Sequence, residues 1–369
     1  MADDVYRPLI AGIDTLEIGY CVDFYKLSYD EWDSIAQAKE RAQATLNEKG
    51  MVITFRGINF EVQRTGSSRY KYILNNDDIQ IKIFLDARAG TDFPELRIVF
   101  RSAFLWRKGW KEAIKIVDDW VSNWAVVVEV KISRIDLTVD FEGKLPIFTT
   151  ALREVVTRGR KKTEYGTYTR NTDGKQSSGY DFGYGEIKCR IYDKTKEIIR
   201  SNKKWFETLW EKNGWEKGKT VTRVEFQCRR KIIRELQVYT IDDLFIQVAD
   251  IWRYLTQEWL TVRKIGDDSH RTRWPIAEFW QIVQDAISHF GKITGVTRFK
   301  QLKPRYQRVE RQARGLVASM TALAAISLGE NKYTYGKRVV RDKIRNWLTD
   351  PDFEAEVEKR IKKYGVMKY

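Results

Sequence analysis

At 369 residues with 43% apolar side chains, the chain is long enough for two domains, or one large domain with an extension, and apolar enough to bury a core. Lysine and arginine outnumber the acids 66 to 51, leaving a formal charge of +15. Counterion release makes such a surplus favour a polyanionic partner, although a basic but otherwise ordinary enzyme has the same balance. Cys21, Cys189 and Cys228 are scattered and form no CxxC pair, which argues against a disulfide framework or a zinc site. Asp3 and Asp4 stand where a signal peptide would need an apolar run, so a cytoplasmic location is expected. The longest uncharged stretch, Gly315 to Gly329, is shorter than a membrane span and reads as a buried helix.

In chain order, Thr15 to Val22 has strand character and Tyr29 to Glu48 helical composition. Strand-like runs follow at Val52 to Arg56, Phe60 to Arg64, Tyr70 to Leu74, Ile79 to Leu85 and Leu96 to Phe100, separated by Gly, Ser, Asn and Asp turns. A helix is expected from Leu105 to Trp124. Its tryptophans 106, 110, 120 and 124 stand at helical spacing, which suits core packing more than base stacking. Then come a strand at Arg134 to Phe141, a helix near Thr149 to Thr157, and a basic, glycine-containing stretch from Arg158 to Lys175. A strand at Glu186 to Tyr192, a charged helix from Lys194 to Trp215 and a strand at Val221 to Arg229 complete the mixed part. Beyond Ile241 the period is helical: Ile241 to Arg263, Ile276 to Phe290, Tyr306 to Leu328, Lys337 to Leu348 and Phe353 to Tyr364. The expectation is an α+β, antiparallel-rich catalytic domain over residues 1–235, followed by a mainly helical DNA-binding or accessory region over 236–369.

Three strands share one chemical habit. Alternation places Asp136, Thr138 and Asp140 on one face of the first, and Glu186, Lys188, Arg190 and Tyr192 on one face of the second. The third aims Arg223, Glu225, Gln227 and Arg229 the same way. Acids on an otherwise apolar strand call for a partner, either a hard cation such as Mg²⁺ or Mn²⁺ or a neighbouring guanidinium. Asp136 and Asp140 stand ~13 Å apart on a regular strand, so one ion cannot take both; one would bind metal and the other an arginine. A solvated face laced with ion pairs is the plain alternative. A tyrosine beside such groups can attack a phosphodiester and keep the strand as a covalent ester.

Ser133-Arg134-Ile135-Asp136-Leu137-Thr138-Val139-Asp140-Phe141, Phe182-Gly183-Tyr184-Gly185, Arg190-Ile191-Tyr192-Asp193-Lys194-Thr195-Lys196-Glu197 and Arg223-Val224-Glu225-Phe226 stand in that order along the chain. Together they resemble the Rep_trans replication initiation factor family, which holds rolling-circle plasmid initiators and MobT-type relaxases. The resemblance spans about residues 10–235, with a fainter echo at Arg311 to Leu328. It implies a metal-dependent nicking-closing endonuclease with Tyr192 as nucleophile. Asp136, Asp140 and Glu225 would form the metal site for Mg²⁺ or Mn²⁺, with Arg190 and Lys194 facing the phosphate. The expected partners are origin DNA and a host helicase, with a homodimer possible. The histidine pair of related nucleases is absent, since the only histidines are His270 and His289 in the helical part.

Two basic stretches are candidate DNA contacts, or else solvated faces. Arg158, Arg160, Lys161, Lys162 and Arg170 interleave with Tyr165 and Tyr168, as single-strand grooves do. Arg305, Arg308 and Arg311 lie in the run Arg298 to Arg314, where Glu310 is the single acid. Competing readings are a metal-dependent nucleotidyltransferase or primase and a non-catalytic DNA-binding protein. No GxxxxGK[ST] phosphate loop is present.

Overall fold

The computed structural model describes residues 6–24, 26–44, 50–67, 69–84, 93–149, 151–168, 175–298, 303–327 and 333–365. They divide into two compact units, Met1–Phe299 and Lys300–Tyr369. The change of period near residue 235 therefore falls inside the first unit.

In that unit, β1 (Arg7–Asp23) leads to α1 (Tyr29–Ala44) and a run of short strands. These are β2 (Met51–Phe55), β3 (Ile58–Val62), β4 (Tyr72–Asn75), β5 (Ile79–Ile83) and β6 (Leu96–Phe100). Two helices, α2 (Ser102–Lys108) and α3 (Trp110–Ser122), replace the single expected helix, because Gly109 takes φ 80° between them. A second long strand, β7 (Val126–Glu142), follows, then β8 (Val155–Thr157), β9 (Lys162–Tyr168), β10 (Lys175–Tyr184) and β11 (Ile187–Asp193). α4 (Lys194–Arg200) and α5 (Trp205–Lys212) precede β12 (Val221–Arg229) and α6 (Arg230–Glu235). Next come α7 (Ile241–Arg253), a π-helical turn (Tyr254–Trp259), β13 (Leu260–Val262) and α8 (Glu278–Asp285). The second unit holds α9 (Lys303–Ile326), α10 (Tyr333–Leu348) and α11 (Pro351–Gly365).

Eleven strands form one antiparallel sheet in the order β2-β3-β4-β5-β6-β1-β7-β12-β11-β10-β9, and β13 pairs with β8. The α+β class expected from sequence is therefore observed. The long strands β1 and β7 stand side by side at the middle of this sheet. Period-2 alternation gives the sheet two unlike faces. One carries Leu16, Ile18, Ile98, Ile135, Leu137, Val139, Cys189, Ile191, Val224 and Phe226 into the main core, with α3, α7 and α8. Of the tryptophan stripe, Trp124 is fully buried there, Trp110 and Trp120 pack against the same core half-buried, and Trp106 packs on the smaller cluster of the other face, so its spacing does mark packing residues. The other face is polar. At one end a smaller cluster of Leu9, Ile10, Ile198, Phe206, Trp210, Trp215 and Val221 covers it.

The helix expected near Thr149 to Thr157 is absent. Thr149 and Glu154 close a turn on each other instead, Leu152 adopts φ 49°, and Val155–Thr157 pairs as a strand with β13. The stretch Gly315 to Gly329 is helical over its described part but not buried as expected: Leu316, Leu323 and Ile326 are mainly exposed. No described helix is long and apolar enough to cross a membrane.

Candidate active site

The polar face gathers its groups where β7, β12 and β11 run side by side. Register puts Gln227 opposite Asp136, Glu225 opposite Thr138 and Arg223 opposite Asp140. On the next strand, Arg190 faces Glu225 and Tyr192 faces Arg223. Opposed residues on antiparallel strands share a face, so the three chemically marked strands do converge.

Tyr192 donates its hydroxyl to Glu225 Oε2 at 3.0 Å, and Arg190 Nη1 holds Glu225 Oε1 at 2.7 Å. Burial, followed by the negative charge of Glu225, pushes the Tyr192 hydroxyl well above the usual tyrosine range. A neutral phenol hydrogen-bonded to a carboxylate has an acceptor in place for its proton.

Asp136 is 2% exposed and held in a two-point grip by Arg134, with Nε to Oδ1 at 2.8 Å and Nη2 to Oδ2 at 2.5 Å. Burial raises its pKa to about 7; Arg134 opposes the rise and the like charge of Glu225 adds to it.

Asp140 departs from the expected metal set. It is fully buried, its Oδ1 and Oδ2 accept from Arg223 Nε and Nη2, and Trp210 Nε1 adds a bond to Oδ2 at 2.9 Å. Those bonds occupy its oxygens and close it off from the open face, so Asp140 anchors an arginine. Asp136 holds an arginine as well, where only one of the pair was expected to.

Lys194 likewise departs from its expected place. It is 1% exposed, pairs with Glu197, and sits 4.6 Å from the Phe206 ring centre and 5.7 Å from that of Tyr192. Burial and then Arg223 lower its pKa. It is buried beside the Tyr192 ring and not on the open face.

A residue missed in sequence lies beneath. The register of β1 slips between Ile13 and Thr15, and this bulge leaves Asp14 on the polar side. Asp14 Oδ1 accepts from Ser102 Oγ at 2.8 Å, Trp106 Nε1 at 3.0 Å and Arg223 Nη1 at 2.9 Å. Burial alone would raise its pKa, but Arg223, Lys194, Lys203 and the Trp106 bond together hold it well below the carboxylate range. The signal was an acid ending the apolar run Leu9-Ile10-Ala11-Gly12-Ile13.

Asp136 and Glu225 are what remain of the expected donors for Mg²⁺ or Mn²⁺. No group of three or more His, Cys, Asp or Glu able to hold a metal occurs among the described residues. Mg²⁺ is commonly held by only one or two carboxylates, with water and substrate phosphate completing its shell. The Thr138 hydroxyl, buried opposite Glu225 and without a hydrogen-bond partner among the described residues, offers a further oxygen beside them. The oxygens are of the kind a hard cation takes, but those of Asp136 are held by Arg134 and those of Glu225 by Arg190 and Tyr192, so a cation would have to displace one of these bonds.

Of the basic stretches, Arg158, Arg160 and Lys161 are exposed where the chain leads into β9, the last strand of the sheet. Arg158 lies 3.7 Å from Glu258 and over the Tyr254 ring. Lys162 is half-buried and donates to the Val155 carbonyl at 3.1 Å. Arg170 lies outside the described residues. Arg305, Arg308 and Arg311 lie on α9, but their side chains are outside what is described.

No protein-family model matches the chain. No curated protein matches it either. Among solved structures it is similar to a rolling circle replication initiator protein from Geobacillus stearothermophilus, at 17% identity and a TM-score of 0.44, covering 80% of this chain and 100% of that one. The Rep_trans resemblance therefore rests on the motif blocks themselves.

Proposed function

We propose that this chain nicks and rejoins single-stranded DNA through Tyr192, as a rolling-circle replication initiator or a conjugative relaxase. The observation that carries this reading is the Tyr192–Glu225–Arg190 chain of hydrogen bonds on the polar sheet face, with Asp136 beside it. Glu225 takes the phenolic proton as the Tyr192 oxygen attacks the scissile phosphorus. The bond to the 3′ oxygen breaks and that oxygen takes up the proton from Glu225, leaving a 5′-phosphotyrosine and a free 3′ hydroxyl. Arg190 offsets negative charge on the phosphorane-like transition state. Reversal of the same steps rejoins the strand with no outside energy, because the phosphodiester bond is exchanged and never hydrolysed. Asp136 and Glu225 would hold Mg²⁺ or Mn²⁺, which when bound polarises the scissile phosphate. Origin DNA and a host helicase are the partners this reading calls for, with Arg158, Arg160 and Lys161 and the run through Arg305, Arg308 and Arg311 as backbone contacts. The engagement of Asp140 with Arg223 weighs against a two-metal nucleotidyltransferase, which would need that carboxylate free.

A labelled oligonucleotide incubated with protein and Mn²⁺ tests it. Wild type should form a covalent protein–DNA adduct, and Tyr192→Phe should form none while still binding DNA. An undiminished adduct in Tyr192→Phe would move the nucleophile elsewhere, and no adduct from wild type on any single-stranded substrate would remove the nicking reading.

A further inference from the structure

Like charges directly opposite each other on neighbouring strands repel, and folds generally avoid them unless something of opposite charge lies between. On the polar face, Arg229 at the end of β12 stands directly across from Arg134 on β7. Arg134 commits Nε and Nη2 to Asp136, leaving Nη1 with Glu17 at 3.5 Å. Arg229 is exposed, and among the described residues its side chain has no ion-pair partner. Lys188 lies on the neighbouring strand across from Gln227, one step along the same face, and is paired with Asp181 at 2.6 Å. Arg97, bridged to Glu17, flanks the other side. The result is an open-faced group of cations in which one guanidinium is left unmatched at the rim.

We propose that Arg229 and Arg134 form a seat for a backbone phosphate of single-stranded DNA, fixing the direction in which the strand leaves Tyr192. The nature of the ligand rests on the nicking reading above. Glu225, which Tyr192 contacts, is four residues before Arg229 on β12, or about 13 Å along an extended strand. The seated phosphate is therefore distinct from the scissile one, and the DNA strand runs along β7 and β12 toward α6. A planar guanidinium can grip a phosphate through two parallel bonds, and two facing guanidiniums lose their mutual repulsion when an anion sits between them. Neither residue was among the DNA contacts suggested by runs of basic sequence, because here the cations come together across strands.

The test uses binding in place of chemistry, so it is run in the full chain carrying Tyr192→Phe. The probe is a fluorescein-labelled thymidine oligonucleotide of about 16 nucleotides, the upper end of single-strand site sizes. Adding Arg229→Gln should weaken binding about tenfold, as for the loss of one charge-assisted bond. It should also flatten the slope of log affinity against log salt by about 0.7, one phosphate's worth on a single strand. Arg229→Lys should keep the slope. A second measurement needs no variant at this position: the oligonucleotide should shield Arg229 from phenylglyoxal, read by mass spectrometry. An unchanged affinity and slope in the Gln variant, or an Arg229 modified equally with and without oligonucleotide, overturns the seat. If wild type binds the oligonucleotide through Arg229 but forms no adduct, the nicking reading fails and this one stands.

Discussion

Arg223 has no exposure to water and lives on two carboxylates, Asp14 and Asp140, with the Phe206 ring 4.6 Å from its guanidinium carbon. Removing Asp14 leaves Arg223 its two bonds to Asp140 but takes away one charge-assisted bond and strands Ser102 Oγ and Trp106 Nε1, at about 1.5–3 kcal/mol. Asp14→Ala should therefore lower unfolding free energy in urea by that order, although Asp14 never reaches the open face. A loss under about 1 kcal/mol would mean that the bulge at Asp14 is not needed to hold Arg223. Asp136 gives a second check, through pH. Its carboxyl ionises from about 3.8 when unfolded and at about 7 when folded. Between those values the folded protein keeps a proton that the unfolded chain has released, so this group makes stability fall as pH rises across the window and level off above it. Urea midpoints of wild type and Asp136→Asn in EDTA should diverge in favour of the variant as pH rises from about 4 to about 7. Parallel profiles would show that Arg134 keeps Asp136 ionised throughout.

At the scale of elements, strands whose two faces differ chemically were legible in the sequence. Leu96–Phe100 and Val221–Arg229 have the bounds that alternation predicts, because each buries every second residue in the main core. The same alternation put Glu225, Arg190 and Tyr192 on one face. It could not show what sits above them, so Asp140 and Lys194, which α4 and α5 bury with Phe206 and Trp210, read as open when they are closed. Asp14 was hidden for a different reason, since a bulge breaks the period that sequence reasoning relies on. The expected helix at Thr149 to Thr157 failed because its capping-type residues satisfy a turn, while Val155 and Val156 are β-branched and pair with β13. Close packing at the β10–β11 hairpin offers a test of how rigidly that edge is held. Gly183 has φ 82°, and a Cβ there would stand 2.6 Å from the Ile187 carbonyl oxygen and 2.7 Å from the Trp259 ring. Gly183→Ala should cost about 2 kcal/mol or more in urea unfolding, combining left-handed strain with the clash. A neutral substitution would mean that β10 and Trp259 can separate without loss.

For the whole molecule, the place where the chain can be cut follows from where its tryptophans go. The helical period beginning at Ile241 suggested a separate region, yet the first compact unit runs to Phe299. Phe226 on β12 packs edge-on against Trp252, Trp259 and Trp280, and all of these belong to the main core cluster. β13, from the same segment, is the partner of β8. Ending the chain at residue 235 would expose the sheet face opposite the active site and remove large aromatic side chains, each worth about 1.5–3 kcal/mol when buried. The sum exceeds the stability of an ordinary domain. A chain ending at Phe299 keeps every one of those contacts along with Tyr192, Glu225, Arg190 and Asp136. The 1–299 protein should unfold cooperatively in urea and form the Tyr192 adduct on a short single strand, whereas the 1–235 protein should aggregate or lack a cooperative transition. Without α9 the longer fragment also loses Arg305, Arg308 and Arg311, and its salt slope on duplex DNA should flatten by about 0.9 for each of those arginines that touches a phosphate. A 1–235 protein that unfolds cooperatively and makes the adduct would place the boundary near 235 after all. An unchanged duplex slope in the 1–299 protein would take the basic run of α9 out of the DNA interface.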